Sequence, residues 1–281
     1  ALPVWPRVVY RAAATDVGAT MAVAERAPSP SWLGPAASTS TWLALAALTA
    51  SLAARGVAAG RPPFANMWEF TVGFGWGIVL FYALFELFEW RYRQQTNDGA
   101  SGRAVGAFVL PLALTLFAVS LLFFPSDLRT LIPALQSNRI LGAHVATMMI
   151  SYAALSVSFG AAAVYLLQGG GRRFASLPSG ETSEEIANRS VLVGFPLLTL
   201  GITLGAYWAH SAWGRYWGWD PKETSALLTW LIYAGYLHAR NLRGWKGRGA
   251  AWLLVGGFVA VLFSYFAVNL WVSGLHSYAG V

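Results

Sequence analysis

Residues 104–124 read AVGAFVLPLALTLFAVSLLFF, a run without a single charge. A helix rises about 1.5 Å per residue, so about 20 apolar residues cross a hydrocarbon core roughly 30 Å thick. In lipid the backbone has no water to bond, which leaves the helix as the form such a run takes. Comparable runs lie on both sides, and they place spans at 32–54, 68–90, 104–124, 140–167, 190–209, 222–239 and 250–271. The first, with Pro35 and several Ser and Thr, is the least hydrophobic. Pro111 and Pro196 fall inside spans, where neighbouring helices compensate for the lost hydrogen bond. The chain is 56% hydrophobic and 11% charged, far below the roughly 25% charged residues of a soluble domain. The expected fold is therefore all-α: a polytopic transmembrane bundle of about seven spanning helices. It forms one domain over 32–281, after an N-terminal cytoplasmic arm at 1–31.

The net charge of +7 has its explanation in the bilayer, because cytoplasmic loops collect Lys and Arg. No basic run is interleaved with aromatics, so no nucleic-acid partner is expected. The arm carries Arg7, Arg11 and Arg26 and has no long apolar stretch, which argues against a cleavable signal and leaves the first span to direct insertion. One set of loops holds Arg91, Arg93, Arg103, Arg172, Arg173, Arg189, Arg240, Arg243, Lys246 and Arg248. The alternate set holds Arg55, Arg61, Arg129, Arg139, Arg215 and Lys222. The richer set belongs inside, which puts residues 210–222 and the tail 272–281 on the extracytoplasmic side. The stretch 168–189, glycine-rich and then polar, reads as a flexible inner connection. With no cysteine, the chain itself performs no thiol exchange and forms no disulfide.

The densest functional signal is Trp208-Ala-His-Ser-Ala-Trp213-Gly-Arg-Tyr216-Trp217-Gly-Trp219-Asp220-Pro-Lys-Glu-Thr224. Interfacial anchoring explains Trp and Tyr at a helix end, but the density here exceeds what anchoring needs. Rigid aromatic faces beside Gly214 and Gly218 suit a large planar apolar group such as a porphyrin. Asp220-Pro221, with Glu223 three residues on, also has the form of an N-cap, a first-turn proline and a capping box. Asp220 thus has a structural reading beside any chemical one, and the two are compatible.

Four histidines complete the set. His144 near the end of the fourth span, His210 beside the aromatic segment and His276 beyond the seventh all fall on the outer side. Imidazole is a common axial ligand of haem iron, so these can converge on one site. The alternative for each is a hydrogen-bonded interface or loop residue. His238 lies 18 residues beyond Asp220, about 27 Å along a helix, and marks a second place near the inner face. A single histidine there could bind haem alone or with a ligand from another chain.

The segment WGRYWGWDPKETSALLTWLIYAGYLHAR (213–240) resembles the CcsA (ResC) family of cytochrome c biogenesis proteins, within the haem-handling superfamily that carries a WGxxWxWD motif. Trp213, Gly214, Trp217, Trp219 and Asp220 fill the motif, and the PKET and YLH continuation also fits. The likeness extends more weakly over 61–281, including RPPFANMWEF at 61–70; Ser225 stands where many members have Trp. The resemblance implies a subunit of a cytochrome c synthase in a cytoplasmic (or thylakoid-type) membrane. It implies haem b as the bound group, a ResB/CcsB-type membrane partner, a thiol reductant pathway, and apocytochrome c with a CxxCH motif as acceptor. It further implies that His144 and His276 are the outer iron ligands, that His238 is a transmembrane ligand whose counterpart comes from the partner, and that His210 is not a ligand. The cofactor-binding set is then His144, His276, His238, Trp213, Gly214, Tyr216, Trp217, Trp219 and Asp220. Arg129, Arg139 and Arg215 are candidate propionate partners by charge and side, with interfacial solvation as their simpler role.

Three functions remain open at this level. One is a haem lyase subunit; the second is a CcmC-like haem transporter or chaperone without covalent chemistry. The third is a structural membrane protein whose aromatic segment only anchors.

Overall fold

The computed structural model describes residues 32–64, 66–96, 103–128, 139–171, 173–174 and 177–276. The arm at 1–31 and Arg129 lie outside the described residues. Within them the chain forms seven helices: α1 (Leu33–Ala59), α2 (Met67–Thr96), α3 (Arg103–Phe123), α4 (Arg139–Leu167), α5 (Gly180–Trp213), α6 (Pro221–Arg243) and α7 (Arg248–Leu262). A π-helical turn, Phe263–Ala267, continues α7 into Val268–Leu270. Six of the helices are long and apolar enough to cross a membrane, and α6 is not among them. Its 23 residues reach about 34 Å, but Lys222, Glu223, His238, Arg240 and Arg243 dilute its hydrophobicity. It still runs the height of the bundle: Lys222 bonds the end of α7 through Asn269, and Arg240 bonds the start of α5 through Glu184. The protein is an integral, polytopic helical membrane protein.

Helix α5 begins ten residues earlier than the apolar run indicates. Ser179 caps it by accepting a hydrogen bond from the Thr182 backbone N–H, and the polar turn behind it is helical. At 34 residues, or about 51 Å, the helix outruns the hydrocarbon and carries Glu184, Glu185 and Arg189 beyond it. The preceding connection is tied around Gln168. Its Nε2 donates to the carbonyls of Phe174 and Pro178, and its Oε1 accepts from the Phe174 N–H. From Gly180 the polar stretch is thus a helix start, and the described residues before it form a bonded turn, where the sequence reads as a flexible connection over 168–189.

Helices α4 and α5 form the most extensive pair in the bundle. Their closeness depends on a glycine row, Gly194, Gly201 and Gly205: a Cβ at these positions would meet Leu155, Met148 and His144 at 2.9, 2.5 and 2.6 Å. Small residues at such spacing are what allow two membrane helices to approach. By contrast α1 packs mainly on α2 and leaves most of its surface exposed.

Ion pairs sit at both ends. At one end Glu69, fully buried, accepts from Arg55 (2.9 Å) and Arg61 (2.8 Å), with the Arg55 guanidinium lying over Trp68. This fixes the start of α2 and hence Phe70 and Phe74. At the other, Arg103 pairs with Glu86 at 2.8 Å and Arg240 with Glu184 at 2.8 Å.

Candidate functional site

A cavity opens at the end of the bundle where α5 turns into α6. Its walls come from Phe70 and Phe74 of α2, His144 and Met148 of α4, Ile202 and Gly205 of α5, Lys222 and Ala226 of α6, and Tyr265, Asn269 and His276 around the end of α7. Tyr216 and Trp217 of the aromatic segment close one side. The enclosed volume is about 120 Å³, and about 1040 Å³ once the open mouth is counted.

Two imidazoles face this space, and each has its Nδ1 tied down. His144 Nδ1 lies 2.7 Å from the Gly201 carbonyl oxygen. A carbonyl only accepts, so Nδ1 carries the proton and Nε2 is left as a lone-pair donor. His276 Nδ1 lies 2.7 Å from Asp220 Oδ2. Burial alone would raise the Asp220 carboxyl; bonds from His276 and from the Leu275 and Lys222 N–H groups outweigh it and hold the carboxyl below its usual range. An ionised carboxylate again only accepts, so His276 also carries its proton on Nδ1. Metal-bound histidines are oriented in this manner, the second nitrogen donating to a carbonyl or carboxylate. Among the described residues no group of three or more His, Cys, Asp or Glu could hold a bare metal ion. A lone pair of imidazoles instead suits an iron whose other positions are filled by a macrocycle.

The aromatic segment divides its labour. Trp208 is buried and meets Trp213 edge-on at 4.7 Å; Trp213 in turn meets His276 edge-on at 4.9 Å. These two indoles back the histidine. Gly214 ends α5 in the left-handed region (φ 73°) and returns its N–H to the His210 carbonyl, a conformation that glycine adopts without penalty. His210 belongs to the last turn of α5 and stacks on Tyr216 with ring centroids 4.3 Å apart, fixing the rim. Trp219 does not line the cavity. It is 69% exposed, lies edge-on to Trp217 and has φ 56°, a strained value for a bulky residue.

Asp220 has the capping role read from the sequence and a second, local contact. It begins α6 with a full capping box, and the same carboxylate holds His276. Glu223 Oε2 completes the lock by accepting from the backbone N–H of Gly218 and Asp220. Ser225 Oγ donates to the Lys222 carbonyl and shares a second hydrogen bond with the Ser264 hydroxyl, from which it accepts.

His238 stands apart. It lies on an exposed stripe of α6, Thr224, Leu228, Leu231, Gly235, His238 and Leu242, spaced by threes and fours, near the opposite end from the cavity. Arg139 and Arg215 are exposed and do not line the cavity; Arg129 is outside the described residues. The residue that sequence reasoning missed is Lys222, whose side chain enters the cavity wall. A cation in the first turn of a helix opposes the macrodipole, and that was the available signal. The second omission is Gly201 with Gly205, a small-xxx-small pair whose carbonyl and whose missing Cβ both serve His144.

Fold and site together define a polytopic membrane protein with paired, anchored imidazoles in an aromatic-walled cavity. A family profile described as Cytochrome C assembly protein matches residues 65–276. The cytochrome c biogenesis protein CcsA of Microcystis aeruginosa is 35% identical over 305 residues, covering 89% of each chain. CcsA of Guillardia theta is 38% identical over 264 residues, covering 85% of this chain and 84% of its own. CcsA of Synechocystis sp. is 35% identical over 312 residues, covering 89% and 90%. The chain belongs to the CcsA family of cytochrome c assembly proteins, and its role lies in cytochrome c maturation.

Proposed function

We propose that the chain is the membrane subunit of a cytochrome c haem lyase. It brings haem b to the extracytoplasmic face and holds it in the cavity while the haem is joined to the CxxCH motif of apocytochrome c. The observation that carries this reading is the matched pair of His144 and His276, each with Nδ1 anchored, on one cavity under the aromatic segment. Haem is the substrate here, and the residues present suit it. Two imidazoles would supply axial ligands, Phe70, Phe74 and Trp217 supply apolar faces, and the cavity opens at its mouth toward the aromatic segment.

The chemistry asked of the chain is positioning. Each thioether forms when an acceptor thiol adds across a vinyl group: sulfur bonds one vinyl carbon, the thiol hydrogen goes to the other, and nothing leaves. No cysteine of this chain takes part, since it has none. The cavity limits movement of the bound group, keeps water from its faces and presents the vinyl edge, which is where an enzyme gains from orientation. Axial imidazoles with a carboxylate behind one of them also tune the iron potential. That matters because attachment requires ferrous haem, while a thiol reductant pathway keeps the acceptor cysteines as free thiols. The acceptor's own histidine then replaces one axial ligand and favours release.

His238 is read as half of an inner haem site, the other half coming from a ResB/CcsB-type partner packed on the exposed stripe of α6. The two sites give haem an entry and an exit. The loop orientation, with residues 210–222 outside, rests on the excess of basic residues at the other end of the bundle.

The test is reconstitution of the chain with its partner, ferrous haem and a reduced CxxCH peptide. The reading expects a thioether-linked product that disappears in His144→Ala and His276→Ala. Haem that transfers to the peptide without a covalent bond would instead support the chaperone function. No haem transfer in either form would leave the lyase reading without support.

A further inference from the structure

Lys222 occupies an unfavourable position that the haem reading does not by itself explain. It is in the first turn of α6, where the helix dipole repels a cation, and its side chain turns into an apolar wall. Among the described residues lining the cavity it is the only lysine or arginine. Its Nζ donates to Asn269 Oδ1 at 2.6 Å, and Asn269 is itself buried and held by the Tyr265 carbonyl. An ammonium has three N–H groups. Asp220, two residues back, acts on it through its charge but makes no direct contact with Nζ: that carboxylate accepts from His276, Leu275 and the Lys222 backbone N–H. Glu223 is engaged by the backbone of the aromatic segment. Among the described residues no carboxylate lies within ion-pair distance of the half-buried ammonium, and Asn269 takes only one of its three N–H groups.

We propose that Lys222, positioned by Asn269, is the anchor for a propionate carboxylate of the porphyrin held between His144 and His276. This rests on the reading of the cavity as a haem site and adds what fixes the rotation of the ring. Two imidazoles define an axis but leave the macrocycle free to turn about it. One charged contact at the wall removes that freedom. Propionates and vinyls occupy opposite edges of the porphyrin. A propionate drawn to Lys222 and the buried Asn269 leaves the vinyl edge toward the open rim, where Tyr216 is 54% exposed. The acceptor cysteines need the vinyls there. The exposed arginines, Arg139 and Arg215, are not required for this contact.

The experiment measures the affinity of the purified full chain, in the His238→Ala background, for ferric protoporphyrin IX and for its dimethyl ester, whose propionates carry no charge. The wild-type cavity is expected to bind the acid roughly ten- to a hundredfold more tightly than the ester, the size of a charge-assisted contact. Lys222→Met is expected to bind both equally at the ester's affinity while keeping its bis-imidazole spectrum, and Lys222→Arg to restore part of the preference. Equal binding of acid and ester by the unsubstituted cavity overturns the proposal, as does a preference that survives Lys222→Met. Should Lys222→Met fail to fold, the acid-to-ester ratio of the unsubstituted cavity still decides. Failure of the haem-site reading looks different: neither porphyrin binds, or both bind independently of His144 and His276, and the proposal falls with it.

Discussion

The two ends of α6 present histidine chemistry in opposite ways. At the start, Asp220 caps the helix and grips His276, the edge of Trp213 lies against that ring, and His144 faces the same cavity from α4. Toward the other end His238 stands on an exposed stripe and lines no part of the cavity. One end carries both imidazoles and their supports within the chain. The other offers a single imidazole on a helix face that a second helix can cover. A site complete in one chain can hold its cargo for chemistry, whereas a half-site between chains suits reception and handing on.

The comparison breaks most decisively at the outer pair. His144→Ala or His276→Ala is expected to reduce haem attachment to a reporter apocytochrome by at least tenfold, with helix content unchanged by circular dichroism. His238→Ala is expected to remove haem that co-purifies from the cell. The same variant should leave binding of externally added haem to the cavity within about twofold, because it lines no part of the cavity. Equal loss of both readouts would erase the distinction between the ends.

Asp220→Asn sharpens the role of the carboxylate. Asn is as good an N-cap as Asp, so the helix start survives. The imidazole it holds loses its anionic partner, and losing the group that orients a ligating histidine costs roughly 10- to 100-fold in affinity. Haem titration should register that drop with little change in melting temperature. Gly205→Ala is the mildest. The new Cβ would lie 2.6 Å from His144 Cε1, so the ring must shift while α5 gains a better helix former. A several-fold loss of haem affinity is expected, with a modest loss of stability from the crowded α4–α5 contact. A purely structural role for His144 would leave haem affinity unmoved.

Much of the fold was legible because lipid imposes a simple rule: apolar runs of about 20 residues become helices. The rule failed where tertiary bonds outweigh apolarity. The polar start of α5 is helical because Ser179 caps it, whereas the span read at 222–239 is borne out as α6, with Lys222 and Arg240 finding partners at its two ends. The site was legible to the extent that it used rare residues. Four histidines and a tryptophan cluster stand out in an apolar chain, and the motif resemblance singled out His144 and His276. What stayed hidden was the backbone's part. The carbonyl of Gly201 orients His144, and no periodicity marks a carbonyl. Of Asp220 the cap was visible and the contact with His276 was not, since its reach to His276 depends on how the end of α7 folds back over the start of α6.

The most direct measurement is the absorption spectrum of ferric and ferrous haem bound to the full chain in the His238→Ala background, with and without imidazole. The account predicts a low-spin, bis-imidazole spectrum that turns high-spin or vanishes on His144→Ala or His276→Ala and returns when free imidazole is added. An identical low-spin spectrum after either substitution, with no response to imidazole, would contradict it.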